Sequence, residues 1–411
     1  MIKSIDTLIV GGGQAGLATS YHLTQRGREH IILERAGQPG NTWRNDRWDS
    51  FTLVTPNWTF RLPGAEYEDG DPGGFMRRVE IVSRFEQYVE HYHLPVQYNV
   101  QVSSVLPDAG GAGYLVNTSD AAWKARNVVI ATGMFQQHKR PAYSSDLSPE
   151  ITQLNSGQYR NPRGLAPGSV LVVGSGQSGC QIAEELYQSG RKVYLCIGST
   201  GRVPRRYRGR DIVEWLEASG FFYRTVDKLP NPRAKFTPNP QASGRDGGHT
   251  LNLHQFARDG VVLLGRLGGG THNTIYLGGD MKANLARVDQ FERELLGQID
   301  EFIARSGIES PPEQAIAQLL DGYHQAEITE LDLEAAGITT IIWAIGYNFD
   351  FSLVKLPVFD QDGFPVQQRG VTQFPGLYFA GLPWMDTQIT GLLMGVGEQA
   401  GHIASVIAGR R

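Results

Sequence analysis

The feature that most constrains this chain is a glycine turn that occurs twice. The first copy is Asp6-Thr7-Leu8-Ile9-Val10-Gly11-Gly12-Gly13-Gln14-Ala15-Gly16, and the second is Ser169-Val170-Leu171-Val172-Val173-Gly174-Ser175-Gly176-Gln177-Ser178-Gly179. In each, an apolar run of strand length enters glycines with G-x-G-x-x-G spacing. The first glycine permits a tight turn out of the strand, the second lets backbone approach a pyrophosphate, and the third lets the next helix pack closely on the sheet. The N-terminus of that helix then presents unpaired N–H groups and a positive dipole end to phosphate. Two such units predict an α/β fold of two Rossmann-like dinucleotide-binding domains, each with a three-layer parallel sheet.

The copies differ where their second strands end. His30-Ile31-Ile32-Leu33 finishes in Glu34, placed to accept hydrogen bonds from a ribose, with Arg35 beside it. The strand at Val193 to Ile197 is followed by Gly198-Ser199-Thr200, with no acid, and then by Arg202, Arg205, Arg206, Arg208 and Arg210. An acid repels a ribose 2′-phosphate, whereas hydroxyls and arginines bind it, so the second unit selects NADP over NAD. Ser199, Arg205 and Arg206 are the leading candidates for that role. A solvated charge run accounts for some of the five arginines.

Between the units lies Gly40 to Trp58, aromatic-rich, polar and without helical or strand period, which predicts a long functional loop. Arg78 to His91 carries Val79, Val82, Phe85 and Val89 at helical spacing. Strand-like pieces at Val96 to Val105, Tyr114 to Val116 and Val128 to Ala131 suggest an antiparallel β-meander returning to the first sheet and ending in Ala131-Thr132-Gly133. Pro162 to Pro167 reads as a linker, and Thr225 to Thr250, rich in Pro, Gly, Asn and Arg, as loop. Met281 to Ile308 is an amphipathic helix packing on its own domain. Thr339 to Tyr347 repeats the Ala-x-Gly strand end, Pro375 to Trp384 is a strand entering a loop, and a helix begins near Gly391. His254 reads first as a satisfied buried histidine and only second as a cavity residue.

Composition narrows the function classes. The 411 residues carry 38 basic and 42 acidic side chains, a net charge of −4, which gives no general reason to expect nucleic acid or an anionic membrane as partner. Two cysteines, Cys180 and Cys196, are too few and too far apart for a disulfide scaffold, a CxxC redox pair or a zinc site, so no metal is expected and a reducing cytoplasm fits. The first strand begins too early to leave room for a signal peptide, and no apolar run reaches the roughly 18 residues needed to span a membrane.

A fingerprint with an acid, a second with arginines, two Ala-x-Gly strand ends and a closing strand–loop–helix together resemble the two-dinucleotide-binding-domain flavoproteins. The runs Gly40-Asn41-Thr42-Trp43-Arg44 and Val203-Pro204-Arg205-Arg206-Tyr207-Arg208-Gly209-Arg210-Asp211 narrow the resemblance to bacterial flavin-containing monooxygenase-like proteins, over nearly the whole chain. One departure stands in Leu154-Asn155-Ser156-Gly157-Gln158-Tyr159, which keeps Ser156 and Tyr159 of the usual signature but has Asn155 in the histidine place.

The resemblance implies an NADPH-binding domain, residues 161–335, inserted between two parts of an FAD-binding domain, 1–160 and 336–411. FAD would lie on Gly11, Gly13, Gln14, Ala15, Gly16, Glu34 and Arg35, with Thr42, Trp43, Arg44 and the Ala131-Thr132-Gly133 strand end nearby. NADPH would lie on Gly174, Gly176, Gln177, Ser178 and Gly179. Gly381 and the helix start at Gly391 would flank the isoalloxazine, where a helix dipole favours negative charge on the reduced ring. The implied reaction is monooxygenation: NADPH reduces FAD, O2 adds at the flavin C4a position, and one oxygen atom passes to a small nitrogen or sulfur nucleophile or a carbonyl compound. Thr55 and Asn57 on the aromatic loop are the catalytic candidates, as hydrogen-bond partners for the bound oxygen. The alternative is an NADPH-dependent flavoprotein reductase or oxidase with another electron acceptor. The sequence is compatible with a homodimer and fixes no oligomeric state.

Overall fold

Each glycine turn sits at the centre of its own sheet. The computed structural model describes residues 2–111, 113–313 and 318–410. The nine-stranded sheet runs Gln367–Gln368, Val371–Thr372, Leu377–Phe379, Ala122–Ile130, Ile2–Val10, His30–Leu33, Val96–Gln97, and the strands Val102–Pro107 and Tyr114–Thr118 join it as a meander through Ala122–Ile130. The five-stranded sheet runs Thr152–Asn155, Ile338–Trp343, Ser169–Val173, Val193–Cys196, Val262–Leu264, with every pairing parallel.

The five strands of the second sheet correspond to a five-strand core of the first, from Leu377–Phe379 to Val96–Gln97. Ile2–Val10 in the first and Ser169–Val173 in the second both lie between the strand that follows their glycine-turn helix and the strand that ends in Ala-x-Gly. Leu8, Ile9, Val170, Leu171 and Val172 are fully buried, as strands covered on both faces require. The helix Gln14–Gln25 buries Leu17, Ala18 and Leu23 in the same core as Ile403, Ala404 and Ile407 of the helix Val396–Gly409.

Several expectations shift. The second unit extends beyond residues 161–335, because Thr152–Asn155 and Ile338–Trp343 are bonded into its sheet. The antiparallel pair Gln137–His138 with Tyr347–Asn348 marks where the chain crosses between the units. At Gly391 there is a 3-10 turn, Gln388–Gly391, and the α-helix starts only at Val396, so no α-helix dipole begins at Gly391. The aromatic loop holds one short helix, Asn41–Asn45, and a 3-10 turn, Asn57–Thr59. The helix Arg78–His91 forms as read, but Val79 is exposed and Ile81, Phe85 and Tyr88 face the core.

The segment between Phe221 and Gln241 belongs to the second unit in sequence yet straps onto the first. Thr225 bridges Thr387, Lys235 pairs with Asp360 at 3.2 Å, and Phe236 packs against Phe349 and Phe364.

Candidate dinucleotide sites

At the first turn, Gly11 has φ +109°, and a Cβ there would stand 2.6 Å from the Ala131 carbonyl oxygen. A Cβ on Gly16 would stand 1.9 Å from the Gly11 oxygen, so the helix can approach the strand this closely only without side chains. Gly13 has nothing within 4 Å of its missing Cβ and leaves its backbone open. A cleft of about 620 Å³ opens over this turn. Its walls run from Glu34, Arg35 and Val100 past Gly11, Gln14 and Ala15 to Thr42, Trp43, Thr132, Gly133, Gly381 and Gly391. Glu34 is buried, its two carboxylate oxygens accepting from Gly12 N at 2.6 Å and Ala36 N at 2.8 Å. Gln14 donates to the Gly391 carbonyl at 2.8 Å and fastens the 3-10 turn over the far end. A long cleft with an acid at one end, open backbone in the middle and aromatic rings at the other fits a flavin adenine dinucleotide.

The second turn repeats this geometry. Gly174 has φ +106°, a Cβ on it would stand 2.7 Å from the Ala344 oxygen, and one on Gly179 would stand 1.8 Å from the Gly174 oxygen. Gly176 and Gly198 are open. Gln177, in the place of Gln14, donates to the Ala242 carbonyl at 2.6 Å and accepts from Ala242 N at 3.2 Å, fastening a different covering segment. At the strand end the hydrogen bond is reversed. In the first unit a Glu34 oxygen accepts from a glycine-turn N–H, whereas in the second Ser175 Oγ of the turn accepts from Gly198 N at 3.0 Å. The duplicated edge therefore fits a second dinucleotide whose ribose meets no acid.

A family model described as pyridine nucleotide-disulphide oxidoreductase matches residues 8–217. The chain belongs to that family. It is accordingly an oxidoreductase of the flavoprotein type. The oxidoreductase CzcO-like of Geobacillus kaustophilus is 31% identical over 405 residues, 98% of each chain. The indole-3-pyruvate monooxygenase YUCCA1 of Oryza sativa subsp. japonica is 26% identical over 204 residues, 49% of this chain and 50% of its own. Among solved structures, a flavin-containing monooxygenase from Stenotrophomonas maltophilia covers 98% of both chains at 20% identity and a TM-score of 0.67, so the two share a fold.

Within this family fold, several predicted side chains are committed elsewhere. Asn57 accepts from Met76 N and donates to the Asp71 carbonyl at 3.0 Å, Thr55 Oγ1 accepts from Thr59 Oγ1 at 2.7 Å, and neither lines the cleft. Their roles are those of loop braces, because the tight turns on either side need these bonds. Arg205 is buried against Asp211 and donates to the Val54 carbonyl at 2.7 Å, which removes it from any phosphate role. Arg202 is likewise held by Asp289 and Glu292, both at 2.7 Å, and Arg208 by Asp300 at 2.7 Å. Arg206 is exposed and, among the described residues, makes no ion pair. Arg44 turns away to Glu86 at 2.7 Å. His254 is fully buried, bonded to Asp289 at 3.2 Å and accepting from Gly322 N at 3.1 Å, so it serves the core. Cys180 and Cys196 are buried, and burial pushes both thiols well above their ordinary range, so neither is a ready thiolate.

Sequence reasoning passed over Arg47. The residue is only 8% exposed and lines the cleft, and its guanidinium lies 5.0 Å from the Phe135 ring centroid and 5.5 Å from those of Trp43 and Phe51. Burial lowers its pKa, opposed by Tyr347 and Asp46, and among the described residues it has no carboxylate ion pair. The signal was its place in the aromatic loop, where an arginine among three ring faces is a cation–π site.

Proposed function

We propose that the protein is an FAD-dependent, NADPH-reduced monooxygenase. FAD takes the first cleft, NADPH the second glycine turn, and one oxygen atom of O2 goes to a small nitrogen or sulfur nucleophile or a carbonyl compound. The observation that carries this reading is the pair of like-built nucleotide edges with unlike strand ends, acid Glu34 in one and Gly198-Ser199 in the other. The monooxygenase names of the rice relative and the Stenotrophomonas neighbour agree with it.

When bound, FAD supplies the hydride acceptor and the site of O2 activation. The chain supplies the rest. Glu34 holds the ribose, and the N–H groups from Gly11 to Ala15 face the pyrophosphate. Trp43 and Phe135 line the far end, with Phe51 packed behind Trp43. Arg47, a cation without a carboxylate partner in that apolar wall, favours negative charge on whatever group lies beside it. Gln14 keeps the Gln388–Gly391 turn closed over the same end.

The test is anaerobic reduction with NADPH followed by mixing with O2 in a stopped-flow spectrometer, then turnover with 18O2 and a panel of amines, sulfides and ketones. Oxygenation predicts a transient lasting seconds before the oxidised spectrum returns, and label in product. Immediate return to the oxidised spectrum with and without the panel, with all NADPH electrons recovered as hydrogen peroxide, would make the protein an oxidase instead.

A further inference from the structure

Because the five strands of the second sheet match the parallel core of the first, the first site locates the parts of the second that sequence alone cannot. In the first unit Glu34 N donates to the carbonyl of Gln97, the last residue of the outer strand, at 2.9 Å, and the chain that follows that strand, Val100 to Ser103, walls the ribose end of the cleft. In the second unit Ile197 N donates to the carbonyl of Leu264, also the last residue of the outer strand, at 2.9 Å. Ile197 therefore stands in the place of Glu34, and the residues after Leu264 stand beside the corresponding ribose. Those residues are Gly265 and Arg266.

Arg266 Nη2 lies 3.4 Å from Ser199 Oγ, across the two strand ends. Its ion partner Asp280 is 3.8 Å away, and the Arg266 side chain is 57% exposed. Asp280 Oδ1 accepts from the Arg266 backbone N–H at 2.9 Å, so the acid's firmer bond is to the turn that carries the arginine. Gly198, between Ile197 and Ser199, has no atom within 4 Å of where a Cβ would be, which leaves room next to the hydroxyl. The arginine run that the sequence offers for this role is largely spent: Arg202, Arg205 and Arg208 face carboxylates, and Arg210 lies 4.7 Å over the Trp215 ring.

We propose that Arg266 and Ser199 form the subsite for the ribose 2′-phosphate in the second nucleotide site and thereby set the preference for NADPH. This rests on reading that site as an NADPH site. A phosphate seated between them would accept charge-assisted bonds from the guanidinium fork and one from the hydroxyl, in place of the loose contact with Asp280. The selecting cation comes from the neighbouring strand end, some seventy residues along the chain from the glycine turn's own second strand end.

The experiment is calorimetric titration of the flavin-loaded protein with 2′,5′-ADP and with 5′-AMP, which differ in the 2′-phosphate. Wild type should bind 2′,5′-ADP about ten- to a hundredfold more tightly, the worth of a charge-assisted contact. Arg266→Ala should collapse that ratio towards one while 5′-AMP affinity and flavin content stay as in wild type, and the KM for NADPH should rise with that for NADH unchanged. Arg266→Lys, which keeps charge and loses the fork, should fall between. An unchanged ratio in Arg266→Ala overturns the assignment, most directly if Arg206→Ala abolishes it. Equal binding of both nucleotides by wild type would instead refute the NADPH reading of the site itself.

Discussion

Arg205, buried against a carboxylate, and Arg266, the proposed phosphate partner, separate what a charge does for stability from what it would do for a ligand. Arg205→Ala leaves Asp211 buried and unpaired, which costs about 3–5 kcal/mol. Urea denaturation should therefore show a lower midpoint, and the NADPH to NADH ratio should stay at the wild-type value. His249 makes a second residue-scale case. Its bond to Glu184 Oε1 at 2.7 Å, opposed by partial burial, raises the histidine above its ordinary 6.5. A raised folded value means that this contribution to stability is fully present below about pH 6.5 and is lost as pH rises through the folded value. Thermal melts should show that loss in wild type and not in His249→Gln. Asp289 has the opposite sign. Burial works to raise it, but bonds from His254 and Tyr323 and the charge of Arg202 hold it down to about 2. Its contribution is present above about pH 4 and disappears as pH falls towards 2, so Asp289→Asn should weaken that part of the acid-unfolding curve.

At the scale of elements, the glycine turns are two independent copies of one steric solution. In each, the third glycine lies with its would-be Cβ under 2 Å from the carbonyl oxygen of the first, so alanine there must push the helix off its strand. Gly16→Ala should release flavin, read from the visible spectrum of purified protein, and leave 2′,5′-ADP binding in place. Gly179→Ala should do the reverse. Loss of both ligands in either variant would mean that the units do not hold their ligands separately. The covering segments follow the same logic, since Gln14 and Gln177 occupy equivalent positions and each ties down backbone distant in sequence, Gly391 in one unit and Ala242 in the other. The helices Arg78–His91 and Met281–Ser306 were legible because a stripe at 3.6-residue spacing needs no partner to be recognised. The turn at Gln388–Gly391 was not, because an apolar run looks alike in a helix and in a buried turn.

Across the whole molecule, the chain passes from one sheet to the other and back, and the strap from Phe221 to Gln241 closes the circuit. Besides the Thr225 bridge and the Phe236 packing, its anchors include Lys235 with Asp360, Arg233 with Asp362 at 3.0 Å, and Arg224 with Gln388 at 3.0 Å. Lys235→Met removes one anchor and leaves Asp360 without its cation, so amide hydrogen exchange should quicken between residues 225 and 240 while the two sheets keep their protection. The strap's polar anchors also bring the second unit against Gln388, in the turn that roofs the first cleft. The sequence by itself determined that there are two nucleotide-binding units, which residues make their turns, and that one strand end carries an acid and the other does not, because these are local consequences of backbone sterics and hydrophobic period. Only the tertiary structure decided which side chains are left free at the two nucleotide edges. Arg205 and Asn57 were taken by partners that the fold brings to them, while a loop brings Arg47 to the first cleft and a neighbouring strand brings Arg266 beside Ser199. A hydrogen bond or ion pair goes to whichever group the fold brings within reach, and that neighbour is set by the packing of distant segments, which no local pattern records.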